Sequence, residues 1–373
     1  MLNFSIYKDQ FTSAEMQENW SERSTISSWL EAEQALATCQ AELNIIPSDV
    51  ANKLQSLKFE DLNLENLTSE MALAGRPIVG LVKQIRKMVD ADQETFVHYG
   101  STTQDIMDTG LVLQMHRGLE LINQQLITLL EKIKRFNVSY GNISMIGRTN
   151  GQHAIEITLG AKLNVWLFEL KRRHACINEA SARGLNVQCG GPVGDLRSVP
   201  EGKRLHLKQS LAYTLKLNSV EPHWQNARDG LDEIITALGL LCSSLCKIAR
   251  NINLLSSSDI GEMFESPQPG KGGSSSMAHK KNQRCSEFME AIARLGRQQA
   301  EAIHETNMHE HERSGGVWIS EWLIVPEVFQ YTSGALMWAN QMFDNLSVDN
   351  NKALSNLNKY NEELTIKKMK IKQ

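Results

Sequence analysis

The chain has 373 residues, a net charge of −4, 41% apolar, 22% charged and only 6% aromatic residues, and 8 prolines. That balance excludes a broad cationic face for a nucleic-acid backbone or an anionic membrane, and it favours a helical globular protein over a β-sandwich. Met1 to Gln10 holds no basic segment ahead of an apolar run, and no stretch reaches the roughly 18 uncharged apolar residues of a membrane span, so a cytoplasmic location is expected.

In chain order, the residues before 105 read as short helices of a small N-terminal helical domain, 1–105. The clearest is Ser24 to Leu43, where Ile26, Trp29, Leu36 and Leu43 fall on one face. Between 109 and 139, Val112, Met115, Leu119, Ile122, Leu126, Leu129, Ile133 and Phe136 step by three and four, the stripe of a rod roughly 45 Å long. A helical run follows His153, with Leu159, Leu163, Trp166 and Leu170 in step. A second rod is marked by Leu231, Ile234, Leu238, Leu241, Leu245, Ile248, Ile252 and Leu255, and runs over 284–305 and 318–343 follow. These spacings predict an all-α protein whose central long-helix bundle spans 106–346. Residues 347–373 read as a polar tail, solvated or frayed. One apolar stripe buried within a monomer's bundle leaves others uncovered, which calls for partner helices from other copies of the chain.

The cysteines read as reduced thiols. Cys242 and Cys246 are four apart on a helix but lie in an apolar run, so they read as core. His304, His309 and His311 bunch within eight residues, yet only His304 and His311 share a helical face, so they read as helix surface and no metal is expected.

Ser266 to Gln283 is the one loop of marked composition, SPQPGKGGSSSMAHKKNQ. Composition alone fits a flexible linker. The alternative is an anion cradle: glycines let backbone amides converge on a carboxylate, Lys280 and Asn282 add donors, and a nearby serine of depressed pKa could move a proton on the adjacent carbon.

The order of residues in GGSSSMAHKKNQ resembles the Gly-Ser-Ser-x-Met-Pro-x-Lys-x-Asn-Pro signature of the fumarase/aspartase superfamily of helical lyases, with Ala278 and Gln283 in place of its two prolines. The resemblance implies Ser274 as catalytic base, Lys280 and Asn282 as stabilisers of the intermediate, and Ser275 and Met277 at the substrate. The missing prolines should leave the loop less rigid. HYGSTTQDIMDT, from His98, resembles the first conserved block. By resemblance Ser101, Thr102, Thr103 and Gln104 contact carboxylates, while Asp105 and Asp108 cap and orient the long helix. GRTNGQHA, from Gly147, resembles the second block and implies substrate contacts from Arg148, Thr149 and Gln152. Asn150 stands where the superfamily usually has a histidine that protonates the leaving group; His153, read at the mouth of the following helix, is the candidate substitute.

The missing histidine, VHYGSTTQDIMDTGLVLQ, Trp224 with Arg228, and HEHERSGGVWISEWLIVPE from His309 are most similar to the 3-carboxy-cis,cis-muconate cycloisomerase branch. That likeness implies a cofactor-independent lactonising enzyme of aromatic catabolism acting on a tricarboxylate, with Arg228 as a further carboxylate ligand, and sites composed from three subunits of a tetramer. A fumarate-releasing lyase of the adenylosuccinate lyase type, acting on a succinylated amine, is the alternative enzyme. A non-catalytic scaffold descended from such lyases is the alternative of another class. Asp195, where relatives carry a small or hydroxyl residue, is expected to repel an anionic substrate. The small helical domain that follows in the superfamily is expected to be missing or truncated, with the polar tail 347–373 as its remnant.

Overall fold

A computed structural model describes residue 4, residues 6–266, Met277 and residues 282–371. Short helices α1 (Lys8–Phe11) and α2 (Ala14–Asn19) precede α3 (Glu22–Glu42), α4 (Ser48–Ser56), α5 (Leu64–Ala74) and α6 (Pro77–Arg86). Then comes α7 (Thr103–Tyr140), 38 residues and so roughly 57 Å long. Strands β1 (Ser144–Thr149) and β2 (Gln152–Thr158) form a hairpin, followed by α8 (Leu159–Gly184), α9 (Glu201–Leu215) and α10 (Asp229–Leu255). The remainder is β3 (Met263–Glu265), α11 (Arg284–Glu301), α12 (Gly315–Asn345), β4 (Leu346–Val348) and α13 (Asn350–Ile371).

Helices α7, α8, α10, α11 and α12 pack as a bundle because their stripes meet. On α7, Val112, Met115, Leu119, Ile122, Leu126, Leu129 and Ile133 are buried together with Leu231, Ile234, Leu238, Leu241, Leu245, Ile248 and Ile252 of α10. Burying each such side chain contributes about 1.5–3 kcal/mol, so propensity alone is a minor term. Close approach is set by small residues: a Cβ on Gly239 of α10 would stand 2.6 Å from that of Ala300 on α11. A second apolar cluster joins α3, α4 and α6 to Leu207 and Leu211 of α9 and to Trp318, at one end of the bundle.

Side-chain pairs give the directions of the rods. Asp108 near the start of α7 meets Arg228 at the start of α10 and Trp318 at the start of α12. Lys132 late in α7 meets Asp344 late in α12, at 2.6 Å. Helices α7, α10 and α12 therefore run parallel, with α8 and α11 returning between them.

Two sequence expectations change. The run after His153 is not helical at once: His153 lies in β2, and α8 begins only at Leu159, capped by Thr158 Oγ1 accepting from Ala161 N at 3.2 Å. Asn150 (φ 50°) and Gly151 (φ 74°) form a two-residue turn between Thr149 and Gln152. Asn-Gly is the favoured pair for such a turn because both can hold positive φ. The polar segment after Asn345 is also ordered: α13 buries Ala353 and Leu357, four apart on one face, and packs on β1. None of the helices, among the described residues, is long and apolar enough to cross a membrane.

Candidate active site

The first block sits where α7 begins. Asp105, fully buried, collects the loop around it: Oδ2 accepts from Thr102 N (2.9 Å), Ser101 Oγ (3.2 Å) and Gly191 N (2.9 Å), and Oδ1 from Gly190 N (2.9 Å). Burial pushes its carboxyl above the ordinary range, against the pull of those amides. Asp105 thus caps the helix and ties its start to the 190–191 loop, leaving Ser101, Thr102 and Thr103 half-buried at the positive end of a long helix. Gln104 is fully buried instead. Its Nε2 donates to Gln225 O (2.9 Å) and its Oε1 accepts from Arg313 Nη1 (3.4 Å), so its amide is committed to the fold and Arg313 is the exposed group above it.

Arg228 does not stand free to hold a substrate carboxylate. It is 1% exposed, with Nη1 and Nη2 on Asp108 (2.7 and 3.2 Å), Nε on Glu321 (2.8 Å) and Nη2 also on Glu321 Oε2. Its guanidinium stacks on Trp224, 4.4 Å from the ring centre, and Trp318 Nε1 donates to Asp108 (2.8 Å). Against the burial that works to discharge it, Asp108 and Glu321 hold Arg228 above its ordinary pKa. Two carboxylates leave the cation no charge to offer, and Asp108 is a counter-ion in this network rather than a helix cap. Asp195 likewise carries its own partner, Arg197 Nε at 2.8 Å. That hydrogen bond holds the carboxyl below its ordinary pKa and removes much of the expected repulsion.

The second block is the β1–β2 hairpin. Arg148 makes a bidentate pair with Glu262 (2.9 and 2.6 Å), and Asn356 of α13 donates to the same carboxylate (2.8 Å) and to Ile260 O (2.9 Å). Thr149, Gln152 and His153 are exposed around the turn. The His153 ring meets Tyr360 edge to face at 5.7 Å, and Tyr360 Oη donates to Ala154 O. Lys162, one turn into α8, is half-buried, and burial followed by the Arg148 charge lowers its pKa.

Of the third block, Ser274, Ser275 and Lys280 lie outside the described residues; Asn282 is half-buried and Met277 is 44% exposed. Glu265 and Gln283, which flank the loop, stand at the same end of the bundle as Glu262. A single chain therefore separates its blocks. Ser101 to Gln104 lie at the start of α7 and α10, while Arg148, Gln152 and Asn282 lie at the far end, beyond a 27-residue helix roughly 40 Å long.

Glu262, Asn356, Gln225 and Tyr360 were not singled out by sequence. Gln225 adjoins Trp224, and Glu262 ends KIARNINLLSSSDIGE, from Lys247, a stretch also similar to the cycloisomerase branch, whereas Asn356 and Tyr360 carry no sequence signal. The histidines separate: His304 pairs with Asp232 (2.7 Å), and His309 Nδ1 accepts from Ser314 N (3.1 Å). Among the described residues no three His, Cys, Asp or Glu side chains gather as a metal site. Cys242 is fully buried against Thr332, and burial pushes its thiol up to about 11.

Known proteins resemble this chain over most of its length. A profile of the lyase family matches residues 8–295. The chain is 35% identical over 337 residues to a 3-carboxy-cis,cis-muconate cycloisomerase of Acinetobacter baylyi, covering 89% of this chain and 74% of that protein. It is 31% identical to an N-acetyl-S-(2-succino)cysteine lyase of Enterococcus italicus, covering 96% and 79%. The crystal structure of the β-carboxy-cis,cis-muconate cycloisomerase of Acinetobacter calcoaceticus superposes with a TM-score of 0.87 at 31% identity, over 95% of this chain and 80% of that one. The chain belongs to the fumarase/aspartase superfamily of lyases.

Proposed function

We propose that this lyase is a cofactor-independent lactonising cycloisomerase acting on a tricarboxylic diene of the 3-carboxy-cis,cis-muconate type. The observation that carries the reading is the hairpin tip. Asn150 and Gly151 are spent on a turn that needs positive φ at both positions, and no ionisable side chain stands there. Lactonisation has no leaving group to protonate: a carboxylate oxygen bonds to one alkene carbon and one proton goes to its neighbour, so one proton carrier suffices. Ser274 would exchange that proton, while Lys280 and Asn282 steady the aci-carboxylate dianion. Ser101, Thr102 and Thr103, at the head of α7, and Arg148, Thr149 and Gln152, on the hairpin, would hold carboxylates. His153, turned onto Tyr360, would support the hairpin more than the proton transfer.

Because one chain holds the head of α7 and the hairpin, with Asn282, at opposite ends, the reading calls for a homotetramer of D2 symmetry in which ends of different copies meet. A monomeric mass in solution at micromolar concentration would remove the composite site. The second reading is a fumarate-releasing lyase on a succinylated substrate. It is favoured by the likeness to the succinocysteine lyase over 96% of the chain, and by the fact that a thiolate, unlike an amine, can depart without a general acid.

The test is an ultraviolet absorbance assay of purified protein with 3-carboxy-cis,cis-muconate, N-acetyl-S-(2-succino)cysteine and adenylosuccinate in parallel, with Ser274→Ala as control. Turnover of the muconate, lost in the control, is the expected result. Turnover of a succinylated compound alone would select the second reading, and silence on all three would leave a scaffold.

A further inference from the structure

The residues on either side of the 267–281 stretch hold each other. Glu265 ends β3, which pairs with β4, and Ser266 N continues that pairing to Asn345 O at 2.7 Å. The Glu265 amide donates to Gln283 Oε1 at 2.6 Å. Gln283 is the N-cap residue of α11, yet its side chain does not make the capping hydrogen bond. The Glu265 carboxylate takes over that duty: Oε2 accepts from Cys285 N (2.9 Å), and Oε1 from Ser286 N (2.8 Å) and Ser286 Oγ (3.0 Å). Each side chain thus satisfies the other segment's backbone. The arrangement is a capping box closed between residues 18 apart, with its carboxylate at the positive end of α11. The single Ser286 hydroxyl hydrogen is shared with Asn253 Oδ1, 2.7 Å from Oγ, which sets the clasp against the end of α10.

We propose that Gln283 is a positioning residue for its neighbour Asn282: through Glu265 it fixes where the chain re-enters α11 relative to β3, and so where the Asn282 amide stands. Proline, which the superfamily signature has at this position, restricts the same point through its fixed φ but has no acceptor to offer the Glu265 amide. In this chain a tertiary hydrogen bond supplies the restriction. The inference rests on Asn282 acting on a substrate carboxylate, and a glutamine that only capped α11 would leave that action untouched.

Gln283→Met removes the acceptor at nearly equal length, and Gln283→Glu keeps one. In the whole protein as it assembles in solution, Gln283→Met is expected to speed tryptic cleavage of the Lys281–Asn282 bond about tenfold and hydrogen exchange of the Glu265 amide by a similar factor. With the substrate turned over, kcat is expected to fall roughly tenfold while KM moves less than about twofold, because misplacement costs most in the transition state. Gln283→Glu, which keeps the acceptor, should stay within about threefold of wild type in cleavage and exchange, while its added charge is free to raise KM for an anionic substrate. Unchanged cleavage in Gln283→Met overturns the proposal, with or without activity. Faster cleavage with wild-type kcat overturns it too, leaving a clasp that only stabilises α11. Wild-type silence on every carboxylate, with cleavage responding as expected, counts against the proposed reaction and leaves the clasp's hold on position 282 standing.

Discussion

The two ends of the bundle place charge in opposite ways. At the α7 start, Arg228, Asp108, Glu321 and Asp105 are all buried, and every charge meets a partner inside the chain. At the hairpin end, Arg148 is 18% exposed over a fully buried Glu262, Lys162 lies half-buried beside them, and Gln152 and His153 reach solvent. The first end is an over-determined frame with half-buried hydroxyls and the exposed Arg313 at its surface. The second keeps polar groups available and is braced from behind by Asn356 and Tyr360. Burial thus separates charges enclosed within the fold from charges left near solvent, although the same residue types supply both.

The largest effect should come from breaking the frame. Arg228→Met leaves two buried carboxylates facing each other and should cost about 3–5 kcal/mol, read from urea unfolding. A loss under about 1 kcal/mol would mean that Asp108 and Glu321 are better solvated than their burial shows. The next test is a pH slope in the same frame. Although burial works to discharge it, Glu33 holds the His98 imidazole, 2.5 Å away, above its ordinary pKa. A raised folded pKa adds stability that is fully present below about 6.5 and is lost as pH rises through the folded value, with a slope of at most about 1.4 kcal/mol per pH unit. Glu33→Gln should flatten that decline in unfolding measured between neutral and mildly alkaline pH.

Smaller effects belong to the hairpin end. Asn150→Ala puts an alanine at φ 50° and should cost about 1 kcal/mol, whereas Asn150→Gly should be neutral within about 0.5 kcal/mol. An equal loss in both would make the Asn150 side chain itself the stabilising element. The smallest change is Tyr360→Phe, which removes one hydrogen bond to Ala154 O and should cost about 0.5–1.5 kcal/mol by thermal unfolding, with kcat nearly unchanged. A large fall in kcat would move Tyr360 from brace to chemistry.

The rods on α7 and α10 were legible because a 3.6-residue period imprints directly on sequence, and each stripe residue named there is buried. The hairpin was less legible. Its Asn-Gly turn is a strong local signal, but it lay within a motif whose resemblance drew attention to a missing histidine instead. Helix α13 was missed because its burial rests on Ala353 and Leu357 within an otherwise polar run, too sparse a stripe to stand out from a solvated tail. Arg228 is expected from resemblance to hold a substrate carboxylate, and its role changes because Asp108, 120 residues earlier, and Glu321, 93 residues later, close around it.

By itself the sequence determined the helical class, the order of the three motif blocks and the superfamily, because periodicity and short motifs are local properties. The tertiary structure alone decided which cations are already neutralised, that the hairpin and α13 support each other, and that the blocks lie at opposite ends of one chain. Those outcomes depend on which distant side chains share a buried space, and a carboxylate one ångström or one helix away changes a charge's meaning without changing a residue.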